Sequence, residues 1–217
     1  MDPILKHPSH KAVDLARVLV IVEGTNDIEF LRRISLTLHA HNQDLPNLAE
    51  MEQQGQLVFV PFGGSNLPSW TYRFASLGKP EFFLLDHEVP PETEQRQELA
   101  EVINQRPNCR AVLTRKRSLE NYLHPAAIRE VAPIELTFGD FDPVAILVAK
   151  QLYESGLHDR PWELLSRRSQ NRQSSRAKRW LNTQVAAHMT IDHLRNRDPE
   201  GEIATWLTTI GQLAHSV

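Results

Sequence analysis

A chain of 217 residues can bury a core of its own and is long enough for one α/β domain with additions, or for two small domains. Its 41% hydrophobic and 24% charged residues exclude a disordered or fibrous chain, and no apolar run approaches the ~20 residues of a membrane-spanning helix. A formal net charge of −3 argues against a uniformly cationic surface, the single cysteine (Cys109) cannot form an internal disulfide, and Met1–His7 lacks the apolar stretch of a secretory leader, so a reducing cytoplasm is the expected setting.

The first clear element is Val18-Leu19-Val20-Ile21-Val22, a continuous β-branched and apolar run that suits a strand buried on both faces of a parallel sheet. It ends at Glu23-Gly24-Thr25-Asn26-Asp27, a glycine turn with N-cap candidates, after which Ile28, Leu31, Ile34 and Leu38 recur at helical spacing. Leu57-Val58-Phe59-Val60 repeats the pattern into Phe62-Gly63-Gly64-Ser65-Asn66, with a helix expected over residues 69–77. The Gly63-Gly64 pair reads equally as a tight turn or as a place of close approach to phosphate. Phe82-Phe83-Leu84-Leu85 ends at Asp86-His87-Glu88, before a helical stretch over residues 92–104. A fourth strand, Arg110-Ala111-Val112-Leu113-Thr114, precedes Arg115-Lys116-Arg117-Ser118-Leu119-Glu120-Asn121-Tyr122-Leu123.

Strands alternating with helices imply an α/β fold with a mainly parallel sheet flanked by helices, in which ligands gather at the carboxyl ends of the strands. From Pro125 the strand signals fade, and residues 144–153, 180–189 and 203–213 read as helices. The expected organisation is a core over 1–125 and a helical C-terminal extension over 126–217 that completes it. Within the extension, Arg167, Arg168, Arg172, Arg176, Lys178 and Arg179 form a cationic patch with no acid among them, expected on a loop or an exposed helix start. Such a patch is either a solvated face or a contact for a nucleic-acid backbone.

Glu23, Asp27, Asp86 and Glu88 all follow strand carboxyl ends, and residues i and i+2 of an extended segment point the same way, so Asp86 and Glu88 can face one centre. Unneutralised, these acids repel one another. A hard cation bound by oxygen removes that cost, and without thiolates or an imidazole pair the expected ion is Mg²⁺, or Mn²⁺ as a substitute. His87 reads as a neighbour of the ligands, and Glu-Gly-x-x-Asp taken alone also fits an ordinary helix start.

Val22-Glu23-Gly24-Thr25-Asn26-Asp27 and Leu85-Asp86-His87-Glu88 resemble the paired motifs of the TOPRIM family, a buried strand ending in Glu-Gly-x-x-Asp and a later one ending in Asp-x-Asp. With Gly63-Gly64 and Ser118-Leu119-Glu120-Asn121-Tyr122-Leu123, the likeness points to the C-terminal nuclease domain of the OLD (overcoming lysogenization defect) endonucleases, over about residues 16 to 125. The resemblance implies a TOPRIM-like, Rossmann-like sheet. Glu23 would do acid/base or metal-binding work, and Asp27, Asp86 and Glu88 would hold one or two Mg²⁺ or Mn²⁺ ions. Glu120 would add a ligand to a second ion, though it also reads as a helix cap or a partner of Arg117. OLD-type nucleases carry a late lysine, which implies Lys178 here, with Arg115 and Arg117 behind it.

Glu23, Asp86 and Lys178 are therefore the expected catalytic set, and Arg115, Arg117, Arg172, Arg176, Lys178 and Arg179 the expected contacts to DNA or RNA. Two departures stand out: Glu88 is one methylene longer than the aspartate of the motif, and the ATPase domain that precedes the nuclease in OLD proteins has no counterpart. The implied function is a metal-dependent endonuclease, a hydrolase acting in phage defence with a separate ABC-type ATPase or as a homo-oligomer. The alternative is a non-catalytic TOPRIM subunit that binds nucleic acid or regulates. A topoisomerase needs a tyrosine on a further domain, and only Tyr72, Tyr122 and Tyr153 are present.

Overall fold

A computed structural model describes residues 15–63, 67–156, 158 and 160–216. Gly64, Ser65 and Asn66 of the glycine turn, and Met1–His7, lie outside the described residues. The strands are β1 (Val18–Val22), β2 (Leu57–Pro61), β3 (Glu81–Leu85) and β4 (Cys109–Leu113). They form one parallel sheet in the order β2-β1-β3-β4. The helices are α1 (Thr25–His41), α2 (Leu48–Gln53), α3 (Glu92–Asn104), α4 (Pro125–Val131), α5 (Val144–Glu154), α6 (Arg167–Trp180), α7 (Ile191–Arg197) and α8 (Glu202–His215).

The order puts β1 and β3 at the centre of the sheet and β2 and β4 at its edges. All five residues of β1 and of β3 are buried, whereas the edge strands β2 and β4 are only partly covered. Side-chain alternation then sorts the core into two layers. Val18, Val20, Val22, Phe82 and Leu84 face α1 and the C-terminal helices, where Trp206, Leu207 and Ile210 join the same cluster. Leu19, Ile21, Phe83 and Leu85 face Ala100 and Ile103 of α3. The one acid inside a central strand, Glu81, is 1% exposed and accepts two hydrogen bonds from Arg106, at 2.7 and 3.1 Å, which satisfies its charge.

The register brings the two acidic motifs together. Ile21 lies opposite Phe83, so Glu23 emerges level with Leu85, one residue short of Asp86, on neighbouring strands. β2 continues the ladder beyond its own end: the Gly63 N–H donates to the Glu23 carbonyl at 2.9 Å. Gly63 does this with φ at +79°, a left-handed conformation that glycine adopts without strain.

Several local expectations need correction. Residues 69–77 form two short 3₁₀ turns, Leu67–Trp70 and Ala75–Leu77, where Trp70 and Phe74 tuck under the sheet and interrupt helical spacing. Of the two readings of the arginine-rich segment, loop or exposed helix start, the structure has the second: it opens the regular helix α6, N-capped by Ser166, whose hydroxyl accepts from the Ser169 N–H at 3.2 Å. Residues 180–187 are helical as expected, but Leu181–Val185 form a π turn rather than an α-helix. Strand β4 runs from Cys109 to Leu113; Thr114 follows it, its N–H still donating to the Leu85 carbonyl at 2.9 Å while its hydroxyl accepts from the His87 N–H at 2.8 Å. Among the described residues no helix is long and apolar enough to cross a membrane.

Candidate active site

Three loops and one helix build the site. The β1–α1 turn supplies Glu23 and Asp27, and the β3 exit supplies Asp86 and Glu88. The segment after β4 supplies Glu120, and α6 supplies Lys178. Asp27 is fixed by its own turn, where its Oδ2 accepts from the Gly24 N–H at 2.7 Å. That bond closes the start of α1 and leaves the other oxygen, Oδ1, buried without a hydrogen-bond partner.

The Lys178 ammonium lies 3.7 Å from each of three carboxylates: Asp27 Oδ1, Asp86 Oδ2 and Glu120 Oε1. The three acids are nearly sealed, at 3–4% side-chain exposure, against 30% for the lysine. These are ion contacts longer than hydrogen bonds, so Asp86 Oδ2, like Asp27 Oδ1, is a buried acceptor without a donor. Glu120 differs. Its Oε1 accepts from the Asn182 amide at 2.5 Å and its Oε2 from the Ser118 hydroxyl at 2.7 Å.

A second grouping shares Asp86. Ligand oxygens of Glu23, Asp86 and Glu88 lie within 4.8 Å of one another. Glu23 is ion-paired with Arg96 of α3, whose guanidinium also donates to the Asp86 carbonyl at 2.8 Å. Glu88 pairs with Arg117 at 3.6 Å. Glu88 does not reach this position along an extended strand: its φ is +56°, left-handed, and its N–H donates to the Arg117 carbonyl at 2.9 Å. A bulky residue held there carries about 1–3 kcal/mol of backbone strain, a cost commonly found at functional sites.

The five acids thus form two triads that meet at Asp86. Against their five negative charges stand Arg96, Lys178 and Arg117, which leaves two charges uncompensated when all are ionised. Burial pushes the Asp86 carboxyl well above the usual carboxylate range, opposed by Lys178 and reinforced by Asp27, Glu120 and Glu88. Asp27 is raised for the same leading reason. Burial also works against the Lys178 charge, but Glu120, Asp86, Asp27 and Glu88 outweigh it and hold its pKa above the ordinary lysine value. Arg96 is lowered to about 10 by burial.

The donor set fits a hard divalent cation. It is all oxygen, it includes two buried carboxylate oxygens with no hydrogen-bond partner, and its surplus of negative charge is that of one such ion. Asp27 and Asp86 hold the partnerless buried oxygens, and Glu23 and Glu88, paired with Arg96 and Arg117, complete the set. Glu120, engaged by Asn182 and Ser118, is better placed to orient Lys178.

The basic residues divide. Lys178 enters the carboxylate cluster and Arg117 borders it. Arg115 turns away to pair with Glu200, while its N–H donates to Glu202 at 3.0 Å. Arg172, Arg176 and Arg179 are exposed on α6, and among the described residues none of them forms an ion pair. His87 packs edge-on against Phe141 and contacts no carboxylate of the cluster. Arg96 and Asn182 are members of the site that the sequence reading passed over.

No family model matches the chain, and no curated protein matches it. Among solved structures, it is similar to the C-terminal region of the OLD protein of Xanthomonas campestris pv. campestris in its platinum-phased form. That match has a TM-score of 0.52 at 13% identity, covering 94% of this chain and 97% of that one. The mercury-phased form of the same region gives 0.49 at 14% identity, over 93% and 98%. The chain therefore has the fold of the OLD C-terminal region.

Proposed function

We propose that this protein is a divalent-metal-dependent nuclease that hydrolyses phosphodiester bonds in DNA or RNA. The observation that carries the reading is the convergence, at adjacent parallel strand ends, of the partnerless buried oxygens of Asp27 and Asp86 with the Lys178 ammonium, in a site two negative charges in excess. The shared fold with the OLD C-terminal region supports a nuclease-related role.

Asp27, Asp86, Glu23 and Glu88 would hold one or two Mg²⁺ or Mn²⁺ ions, which when bound supply charge neutralisation at the phosphoryl oxygens and a more acidic water. The residues themselves do the rest. Burial of Asp27, Asp86 and Glu120 reduces the screening by water, so their charges act more strongly than exposed ones would. Lys178 reaches in from α6 with an ammonium whose neighbouring acids keep it charged, and it can meet the negative charge that grows on a phosphoryl oxygen in the transition state. Arg96 holds Glu23 in one position through a buried pair anchored on the Asp86 carbonyl, which favours Glu23 as an oriented proton acceptor. The exposed arginines of α6 offer phosphate contacts that position the strand.

A second reading has one observation in its favour. Lys178 already neutralises part of the acidic cluster at 3.7 Å from three carboxylates, as a cation would in a subunit that binds nucleic acid without cutting it. Incubation with single-stranded DNA, double-stranded DNA and structured RNA in Mg²⁺, Mn²⁺ or EDTA separates the two. Cleavage that needs metal and is lost in Glu23→Gln and Asp86→Ala establishes the nuclease. Binding without cleavage under every condition establishes the second reading.

A further inference from the structure

A pocket of about 390 Å³ opens between α5 and α6, outside the carboxylate site. This is within the ~300–1,000 Å³ range of small-ligand pockets. One wall is Trp180 and another the Tyr153 ring, against which His158 stacks at 4.0 Å between centroids and 6° between planes. Tyr153 is fixed by its hydroxyl, which donates to the Arg160 carbonyl at 2.8 Å, and by edge contact with Trp162. Gly156 makes room for the stack, since a Cβ there would lie 3.0 Å from His158 Nε2. Gln173 and Arg176 also line it, and among the described residues no acid does.

Aromatic walls, an amide and a guanidinium that pairs with no acid among the described residues suit a flat, polar-edged ring attached to a negative charge. A nucleobase on its phosphate backbone has that chemistry: rings stack on its face, glutamine can pair with its edge, and arginine meets its phosphate.

The helix itself connects this pocket to the carboxylates. At about 100° per residue, Gln173, Ala177 and Trp180 share one side of α6 and Lys178 the opposite side. Arg172, Arg176 and Arg179 occupy the exposed arc between them. A strand leaving Lys178 across that arc would lay its phosphates on arginines and arrive at the pocket.

We infer that the α5–α6 pocket binds an unpaired nucleobase a few nucleotides from the bond to be cut, so that the preferred substrate carries a single-stranded segment. The inference rests on the nuclease reading for its position relative to the cut, but the pocket's occupancy can be measured without cleavage.

The full-length protein in EDTA is titrated with fluorescent DNA duplexes, one blunt and one with a short single-stranded overhang, and anisotropy gives the affinities. The overhang is expected to bind about tenfold tighter, the scale of one stacked base. An abasic site scanned along the overhang should abolish the preference at one position. Trp180→Leu should remove it and Trp180→Phe keep it, while Arg172→Ala should weaken both probes alike.

Equal affinity for blunt and overhang probes, or a preference indifferent to every abasic site, overturns the inference. A free deoxynucleoside monophosphate that competes as well as the overhang also overturns it, by assigning the pocket to a small nucleotide. Should Trp180→Leu fail to fold, the abasic series decides alone. Metal-dependent cleavage without overhang preference would sink the pocket and leave the nuclease standing; overhang preference without cleavage would do the reverse.

Discussion

Lys178 Nζ and Asp86 Oδ2 lie 3.7 Å apart in a buried pocket, close enough to neutralise each other in part and too far to hydrogen-bond. The lysine serves two other carboxylates at the same distance, so it holds the acidic cluster together without satisfying any one member. Without added metal, Lys178→Met should therefore destabilise the fold by about 2–3 kcal/mol. That is below the ~3–5 of a fully buried pair because the lysine is partly exposed. A drop in Tm of roughly 5–10 °C in EDTA is expected by thermal unfolding, and an unchanged Tm would show that the cluster is not held by charge.

The opposite sign is expected for Asp86→Asn. Burial raises the Asp86 pKa, so the folded state favours the protonated acid: this contribution is fully present below the unfolded value of 3.8 and is lost as pH rises through the raised folded value. Ionised Asp86 is then a cost at neutral pH, and the asparagine variant should melt higher than the parent in EDTA at pH 7. In Mg²⁺ the order should reverse, because only the parent gains binding energy, about 2.7 kcal/mol at 100 times Kd. The four melting curves check both signs.

Much of the fold was readable because buried parallel strands leave an unmistakable pattern. Val18–Val22 and Phe82–Leu85 are apolar without a break, and each runs directly into its acids. The carboxylates followed from that placement. Arg96 did not, since an arginine on the polar helix Glu92–Asn104 looks like any solvated side chain, and its partner Glu23 lies 73 positions away in sequence. Nor did the left-handed turn at Glu88, because φ there is imposed by a tertiary hydrogen bond to Arg117 and not by a glycine. The arginine run reads equally as a loop or as an exposed helix start, because its serines and asparagine disfavour helix interiors. Docking of Ala177 into the core and packing of α6 against α5 outweigh that preference.

Arg96 and Glu23 should behave as a coupled pair. Both side chains are about 15% exposed, at 15% and 14%, so removing either leaves a mostly buried charge. Arg96→Met and Glu23→Gln should each lower stability, and the double variant should recover part of the loss, giving a coupling of about 1–3 kcal/mol in a urea-denaturation cycle. Additive losses would mean that the pair is not formed in solution.

His124 predicts a weakness on the acid side. Its Nδ1 accepts the Ala126 N–H at 3.0 Å and caps α4, and its ring stacks on His193 at 4.6 Å. Burial first, then the charges of His193, Arg197 and Arg129, lower its pKa, opposed by Asn196. A lowered folded value means the neutral ring is favoured by folding. That stabilisation is present above the unfolded value of 6.5 and is lost as pH falls through the folded one. His124→Asn, which keeps an N-cap acceptor, should flatten the slope of stability between pH 7 and pH 5, read as ΔG from urea titrations. A slope identical to the parent's would assign the acid sensitivity elsewhere.

Asn182 supplies the last prediction, because it joins the helix to the site. It is fully buried in the π turn that follows α6, a kind of distortion that often accompanies functional side chains. Its amide donates to Glu120 Oε1 and, at 3.0 Å, to the Lys178 carbonyl, so one side chain sets both the acid and the backbone of the lysine. Asn182→Ala frees Glu120 to swing, loosens the lysine that Glu120 orients, and should cost roughly 10- to 100-fold in activity, the usual scale for a residue that positions a site group. Asn182→Asp places another carboxylate against Glu120 in an already negative site. It should destabilise the metal-free protein more than alanine does and recover more of its Tm when Mg²⁺ is added. Calorimetric Mg²⁺ titration with parallel melting curves tests this, and an aspartate variant as stable as the alanine one in EDTA would remove Asn182 from the electrostatics of the site.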